Sequence, residues 1–240
     1  KMGYRTITLD LRNLDMIVNH KKVKRIMSEL GLYGIKPKTK YKSYKGEVGK
    51  TAKNHLLNKE IDEVKHQTYY KRNFITKSVN EVWLSDVTEF RIPAGKLYLS
   101  PIMDLHNREI VSYNISKSPN YEQITDMLNK AFDKYPSVKG LKFHTDQGWQ
   151  YQMKHFTETL EKKEIIQSMS RKGNCLDNSP MENFFGKIKN EMFYGNEFKY
   201  KTLDELKIAI ELYIDYFNNK RVTVKLKGLT PIQYRNQSSN

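Results

Sequence analysis

The sequence predicts an α/β fold in which a mixed β-sheet is flanked by helices. Three runs rich in β-branched and aromatic residues follow one another from residue 82 onwards, and further runs of this kind come after helical patterns. Strands joined by short turns pair antiparallel, whereas a strand reached through a helix lies parallel to its partner. With 240 residues, the chain can bury a core without disulfides or a structural metal.

The first predicted elements are two short amphipathic helices, within residues 1–34. Apolar residues recur at helical spacing from Ile7 to Leu14, and a second such pattern follows Asn19, a good N-cap, and ends before Gly31. The outer face of the second helix carries basic side chains that suit a recognition helix in a DNA major groove: His20, Lys21, Lys22, Lys24 and Arg25. The pattern indicates a helix-turn-helix-like DNA-binding segment, with a solvated basic face as the alternative.

Residues 35–79 are predicted to be a basic linker. Lysines alternate there with tyrosines and small polar residues, a composition that buries too little apolar surface to form a core. Residues 1–80 hold 19 basic and 7 acidic side chains, so most of the chain's net charge of +15 is amino-terminal. Such a segment is expected to run along phosphates.

The region 80–200 is predicted to hold the sheet and most of the helices. The helices are recognised by apolar faces such as that of Ile124, Met127, Leu128 and Ala131. Five strands are predicted, over residues 82–90, 97–105, 109–116, 141–146 and 164–169. Helices are predicted over residues 121–135, 152–163, 180–193 and 202–218, the last belonging to a C-terminal helix and tail over 201–240.

Composition narrows the class of protein. A net charge of +15 and a pI near 9.6 indicate a polyanionic partner.

The longest apolar stretches, such as residues 97–103, are far shorter than the ~18 residues of a membrane span, so no membrane partner is expected. The single cysteine, Cys175, excludes an internal disulfide and a multi-cysteine zinc site. No signal pattern is visible, which favours the cytosol. Because the chain begins at Lys1, we expect upstream sequence to have been removed or to belong to a longer protein.

Three acids have unusual positions. Asp86 is predicted in the middle of a strand, Asp146 ends a strand, and Glu182 opens a helix after Pro180. Aspartate is depleted in strands, and a charge among apolar neighbours is costly unless a cation compensates it. Taken singly, the acids could be an edge-strand residue, a turn residue and a helix-start residue. Together they predict a carboxylate site for divalent metal ions of the kind that catalyses phosphoryl transfer. Weaker candidates are Glu89, Asp104 and Asp177.

Three segments around these acids resemble the DDE transposases of bacterial insertion sequences, in the branch with a retroviral-integrase-like core, the insertion sequence three family. The segments are WLSDVTEF, FHTDQGWQY and SMSRKGNCLDNSPMENFFGKIKNE. Fifty-nine residues separate the two aspartates, and thirty-five separate Asp146 from Glu182. The resemblance covers nearly the whole chain, since residues 18–32 are similar to the family's helix-turn-helix-like segment and residues 213–234 to its closing helix and tail.

The resemblance implies a ribonuclease-H-like fold with a five-stranded mixed sheet, in which Asp86, Asp146 and Glu182 bind two Mg²⁺ or Mn²⁺ ions. In the family, water first attacks a phosphodiester at the element's end, and the freed 3′-hydroxyl then attacks another DNA strand without a covalent protein intermediate. The partners implied are the double-stranded DNA of the element ends and of the target. A homo-oligomer on DNA is expected because two element ends must be brought together. The expected location is the bacterial cytoplasm, and the nucleoid when the protein is bound to DNA.

Further DNA contacts are expected near the acids. Lys189 follows Glu182 by seven residues, which returns it to almost the same helix face, and the resemblance implies that a basic residue at this offset contacts the element's end. Arg171 and Lys172 are either phosphate contacts or surface charges. In the closing motif, Val222 follows Arg221 where many relatives have His.

Two other functions are compatible with the sequence. A nuclease of the same fold would hydrolyse DNA but never join strands. A non-catalytic DNA-binding remnant or domesticated relative would bind DNA without turnover, although the intact carboxylates favour an enzyme.

Overall fold

The computed structural model describes residues 2–34, 51–62 and 66–238. Its strands are β1 (Leu57–Asp62), β2 (Gln67–Arg72), β3 (Val82–Ser85), β4 (Thr88–Ile92), β5 (Gly95–Asp104), β6 (Ile110–Ser116), β7 (Lys142–Thr145) and β8 (Ile166–Met169). Its helices are α1 (Tyr4–Asn13), α2 (His20–Glu29), α3 (Tyr121–Lys134), α4 (Lys154–Lys162), α5 (Ser179–Ile188), α6 (Leu203–Asn219) and α7 (Pro231–Ser238). Within these ranges, no helix combines the length and the apolar character needed to cross a membrane.

The described residues form two compact units. The first, which we name the terminal unit, comprises those of Lys1–Tyr41, Arg91–Gly95 and Phe185–Asn240. The second, the sheet unit, comprises those of Lys42–Phe90 and Lys96–Phe184. The domain bounds expected from the sequence stay a prediction, namely 1–34, 35–79, 80–200 and 201–240.

The sheet is mixed, as the sequence predicted. Its strand order is β4-β5-β3-β7-β8, and β6 pairs with β5. Strands β3, β5 and β6 pair antiparallel, whereas β3, β7 and β8 pair parallel. The sheet has six strands rather than the expected five, because the first expected strand is interrupted at Asp86 and Val87 and continues as β4.

Helix α3 supplies much of the core of the sheet unit. Its N-cap is Asn120, whose side chain accepts a hydrogen bond from the backbone N–H of Gln123 at 3.1 Å. Its apolar face is buried as predicted and packs in one cluster with Trp83 of β3 and Phe143 of β7. This packing stabilises the two strands whose ends carry Asp86 and Asp146.

An antiparallel hairpin formed by β1 and β2 lies inside the segment expected to be a linker. It pairs Leu57 with Arg72 and Asp62 with Gln67. The sequence pattern did not reveal it, because nearly all of β2 is exposed and shows no alternation of buried and exposed residues. Residues 35–50 and 63–65 of the expected linker lie outside the described residues.

The terminal unit contains the two expected amino-terminal helices. The Asn19 side chain accepts a hydrogen bond from the backbone N–H of Lys21 at 2.8 Å and so caps α2, as predicted. Helix α1 is tied to the C-terminal segment of the same unit, since Asn13 Nδ2 donates to the Gly228 carbonyl at 2.8 Å. Val222, which follows Arg221 in the closing motif, is buried.

Candidate active site

Two of the expected acids lie at matching ends of neighbouring parallel strands. In the pairing of β3 with β7, Leu84 lies opposite His144. Asp86 and Asp146 each come two residues later, just past the end of their strands. Because parallel strands lie about 4.8 Å apart, the two carboxylates leave the sheet side by side. Asp86 is therefore not in mid-strand as expected: the chain leaves the ladder there, and the backbone N–H of Val87 donates to its Oδ1 at 2.7 Å.

The Asp146 carboxylate is held by the turn that follows β7. Its Oδ1 accepts a hydrogen bond from the backbone N–H of Gly148 at 2.9 Å. Burial raises the pKa of Asp146, and the Gly148 hydrogen bond partly opposes that rise. A Cβ added at Gly148 would lie 2.9 Å from Asp146 Oδ1 and 2.6 Å from Gln150 Nε2, so glycine permits this close approach.

If this edge of the sheet holds the metal-dependent phosphoryl-transfer site expected from the sequence, Gly148→Ala should lower the reaction rate by about 10–100-fold, because the methyl group would displace the Asp146 carboxylate by a fraction of an ångström or more. The measurement is a single-turnover assay, with thermal unfolding recorded in parallel. Gly186→Ala is the matched control, since a Cβ there meets nothing within 4 Å. Equal rates for the two variants would contradict the assigned role of Gly148.

A buried tyrosine lies close to both aspartates. The Tyr151 hydroxyl is 3.0 Å from Ser85 Oγ, at the end of β3. Burial raises the pKa of Tyr151 well above its usual value, and the negative charges of Asp86 and Asp146 raise it further. The phenol therefore stays protonated, and it lies near enough to both carboxylates for their negative charges to act on it. The sequence offered no signal for Tyr151 beyond its place in the segment FHTDQGWQY.

The third acid, Glu182, lies in the first turn of α5. Asn178, just before the helix, donates from Nδ2 to the carbonyl of Ser85 at 3.1 Å, which places the start of α5 at the carboxyl end of β3. Glu182 follows Asn178 by four residues, about one helical turn. Burial raises the pKa of Glu182, and a hydrogen bond with the Cys175 thiol partly opposes that rise.

The three acids thus come from β3, β7 and α5 at one edge of the sheet. As placed, no three His, Cys, Asp or Glu side chains in the described ranges lie close enough to hold one ion, and the Glu182 carboxylate interacts with Cys175. The donors are nevertheless all carboxylate oxygens, the ligands that Mg²⁺ and Mn²⁺ prefer. Burial disfavours the charged forms of the Asp146 and Glu182 carboxylates, so a nearby cation would stabilise these charged forms. The donor set therefore fits a divalent metal.

Models of known families match three parts of the chain. An HTH-like domain matches residues 1–40, and integrase core domain models match residues 76–175 and 182–238. A protein of insertion sequence element IS150 from Escherichia coli strain K12, which carries the name transposase InsK, is 45% identical over 238 residues, 99% of this chain and 78% of that protein. A transposase-like protein from Haemophilus influenzae is 48% identical over 223 residues, 93% of this chain and 95% of that protein. The chain belongs to the insertion-sequence transposases.

Over 66% of its length, this insertion-sequence transposase has the fold of a retroviral integrase core. The catalytic core domain of HTLV-2 integrase, solved in complex with magnesium, matches with a TM-score of 0.53 and 21% identity over 66% of this chain and 97% of that chain. This likeness confirms the ribonuclease-H-like architecture expected from the motifs. The relatives include the transposase InsF of insertion sequence IS3A, so the expected insertion sequence three family is also confirmed.

The weaker acid candidates of this transposase have protein partners. The Glu89 carboxylate accepts from Lys96 Nζ at 3.0 Å, and Asp104 accepts from the backbone N–H of Asn80 at 2.7 Å. Asp177 is bound by two arginines, Arg72 and Arg171. The positions of these three acids are therefore accounted for by hydrogen bonds and ion pairs within the protein, without a metal ion.

The expected DNA contacts of the transposase lie in both units. Arg171 makes a two-point ion pair with Asp177, a role that the sequence did not predict, and Lys172 is exposed. Lys189 begins the π-helical turn Lys189–Phe193 directly after α5, so the regular helix assumed for it ends one residue earlier. The basic residues of α2 are exposed: Lys21, Lys22, Lys24 and Arg25. DNA contact by any of them stays a prediction.

His144 stabilises the strand that precedes Asp146 in the transposase. Its ring nitrogens lie 2.8 Å from Ser168 Oγ and 3.0 Å from Ser170 Oγ. Burial lowers the pKa of His144 to about 4. The ring is therefore neutral at pH 7 and links the ends of β7 and β8 as a hydrogen-bonding group rather than as a cation.

Proposed function

We propose that this chain cuts DNA at the ends of an insertion sequence and joins the freed 3′ ends to target DNA, with divalent metal ions held by Asp86, Asp146 and Glu182. The observation that carries the proposal is the matched register of β3 and β7, which aligns two of the three acids at one edge of the sheet. The position of Glu182 one turn after Asn178, which donates to Ser85, supports the third ligand.

The protein's own residues hold and orient the site. The Gly148 N–H holds one oxygen of Asp146, and the protonated Tyr151 hydroxyl interacts with Ser85, the residue before Asp86. Two Mg²⁺ or Mn²⁺ ions bound there would activate the attacking oxygen and stabilise the leaving oxygen.

The chemistry needs no nucleophilic side chain. Partial desolvation and the nearby Glu182 raise the pKa of the exposed Cys175 thiol, which therefore stays protonated and is a poor nucleophile. In cleavage, the oxygen of water bonds to phosphorus while the 3′ oxygen leaves with the electron pair and takes up a proton. In joining, that 3′-hydroxyl attacks a target phosphodiester, so one phosphodiester forms as another breaks.

The same proposal covers partners and location. The exposed basic face of α2 supports binding of double-stranded DNA by the helix-turn-helix-like segment. Joining at two element ends requires a homo-oligomer on DNA. Such a protein would work in the bacterial cytoplasm, at the nucleoid when bound to DNA.

An assay with end-labelled DNA of the element termini, a plasmid target and Mg²⁺ tests the proposal. Nicked ends and then joined products are expected, and both should disappear when the metal is chelated. Hydrolysis without joined products would instead identify a nuclease, and tight DNA binding without metal-dependent turnover would identify a non-catalytic relative.

We expect the double substitution Lys21→Ala and Lys22→Ala to weaken binding to element-end DNA. If each lysine contacts a phosphate, the slope of log affinity against log salt should decrease in magnitude by about 1.8. Fluorescence anisotropy at several salt concentrations measures this slope. The double variant Lys139→Ala and Lys154→Ala, which removes the same charge from exposed sites of the sheet unit, is the control. An equal change in both double variants would argue against a specific role for α2.

A further inference from the structure

Asp177 is a buried carboxylate at the centre of a hydrogen-bond network that the proposed chemistry does not use. Its side chain is 1% exposed. Arg171 donates from Nε to Oδ2 and from Nη2 to Oδ1, both at 2.9 Å, and Arg72 donates from Nε to Oδ1 at 2.8 Å. The backbone N–H of Arg171 and Asn54 Nδ2 also donate to Oδ2, each at 3.1 Å.

The network keeps Asp177 ionised. Burial alone would raise the pKa of Asp177, but the hydrogen bonds and charges of Arg171 and Arg72 lower it to about 2. A carboxylate that accepts five hydrogen bonds has one well-defined orientation. The backbone of the residue that carries it is fixed as well. Arg72 also donates from Nη2 to Asn174 Oδ1 at 2.8 Å, which attaches a second point of the same loop to β2.

The backbone fixed in this way leads directly into α5. Asp177 lies in the 3-10 turn Cys175–Asn178, and the next residue, Ser179, begins the helix. Asn178, adjacent to Asp177, donates to the carbonyl of Ser85, the residue before Asp86. The turn is thus held from two sides: Asp177 ties it to the arginines of β2 and the preceding loop, and Asn178 ties it to the end of β3.

We propose that Asp177 is a positioning residue that sets the place of Glu182 relative to Asp86 and Asp146 by fixing the turn from which α5 starts. Glu182 follows Asp177 by five residues along this turn and the first turn of the helix, with no flexible segment between them. A small rotation of the turn would move the Glu182 carboxylate away from the two aspartates. The inference rests on the proposed metal-dependent function of these three acids.

The test is a titration of the full chain with Mn²⁺ in the absence of DNA. Electron paramagnetic resonance measures the concentration of free Mn²⁺ and so gives the affinity. In Asp177→Asn, the amide keeps the size of the side chain but loses the charge that holds both arginines. We expect Mn²⁺ affinity to fall by about tenfold or more, as is common when a group that orients a metal ligand is replaced. Cleavage of end-labelled DNA should require correspondingly more Mg²⁺, and Mn²⁺ should restore more of the activity than Mg²⁺ because it binds such ligands more tightly.

Glu109→Gln is the matched control. Glu109 is also a fully buried carboxylate of the sheet unit, paired with Lys134 Nζ at 2.7 Å, but it is bound to α3 rather than to the turn before α5. The control should lose stability in a similar way, yet keep its Mn²⁺ affinity. If Asp177→Asn does not fold, Arg72→Gln removes one of the two cations while keeping the carboxylate, and a smaller loss of Mn²⁺ affinity is expected.

Three results separate the possible failures. Unchanged Mn²⁺ affinity in folded Asp177→Asn would overturn the positioning role, and so would an equal loss of affinity in Glu109→Gln. If Glu182→Gln itself left both Mn²⁺ affinity and cleavage unchanged, the proposed function would fail, whatever the behaviour of Asp177.

Discussion

Asp86→Asn, Asp146→Asn and Glu182→Gln are each expected to abolish DNA cleavage and joining, with rates reduced by about a thousandfold or more. A neutral amide holds a divalent cation much less well than a carboxylate, and bound metal ions supply several kcal/mol of transition-state stabilisation, at about 1.4 kcal/mol per tenfold in rate. The measurement is the formation of nicked and joined products from end-labelled DNA in Mg²⁺. Glu158→Gln, in an exposed pair with Lys154 on α4, is the control and should be fully active.

The same three variants should remain folded and bind DNA. Burial raises the pKa values of Asp146 and Glu182 in the folded protein, so folding favours their protonated forms. Without metal, each group therefore lowers stability as the pH rises from the ordinary carboxylate range through its raised pKa. We expect Asp146→Asn and Glu182→Gln to reduce this loss, measured as the unfolding temperature of metal-free protein against pH. A variant that joined strands at the normal rate would contradict the catalytic assignment.

Arg221→Leu is expected to destabilise the terminal unit by about 3–5 kcal/mol, the cost of leaving a buried charge without its partner. Arg221 donates to Glu191 from Nε to Oε2 at 2.9 Å and from Nη2 to Oε1 at 2.6 Å, and Tyr213 donates to Oε2 at 2.8 Å. The side chains of Arg221 and Glu191 are only 8% and 12% exposed. Burial raises the pKa of Glu191, but Arg221 reverses that rise and keeps the pKa below its usual value.

Urea unfolding followed by circular dichroism measures this effect. The double variant Arg221→Leu with Glu191→Leu should recover much of the lost stability, because no unpaired charge is then buried. A double-mutant cycle isolates the coupling between the two residues. If Arg221→Leu unfolded at the same midpoint urea concentration as the parent protein, the ion pair would contribute little to stability. Since Glu191 lies in the π-helical turn that begins at Lys189, the variant should also weaken any DNA contact made by Lys189.

Local patterns sufficed where neighbours along the chain decide the structure. The Asn19 cap and the apolar face of α3 depend on residues within one or two helical turns. The strands and helices of residues 82–219 accordingly lie where the periodicity placed them, within a few residues. The hairpin β1–β2 was missed because its exposed surfaces carry no apolar alternation, and its pairing is visible only in space.

Some features of the candidate site could likewise be predicted from the sequence, and others only from the structure. The three acids, their spacing and the transposase family could be taken from the sequence, because side-chain chemistry and chain order are written there. The break in the first strand at Asp86, the register that aligns Asp86 with Asp146, and the support from Tyr151 could not. Neither could the ion pair of Arg171 with Asp177, because the sequence offered this arginine only as a phosphate contact or a surface charge.

The amino-acid sequence by itself determined the element types, their order and the family, since these follow from short-range periodicity and from residue types at set spacings. Only the tertiary structure decided which charges are paired. Arg72 meets Asp177 across 105 residues, and Arg221 meets Glu191 across 30. Such pairs form because burial makes an unpartnered charge costly, and which charges are buried together depends on the packing of the whole chain.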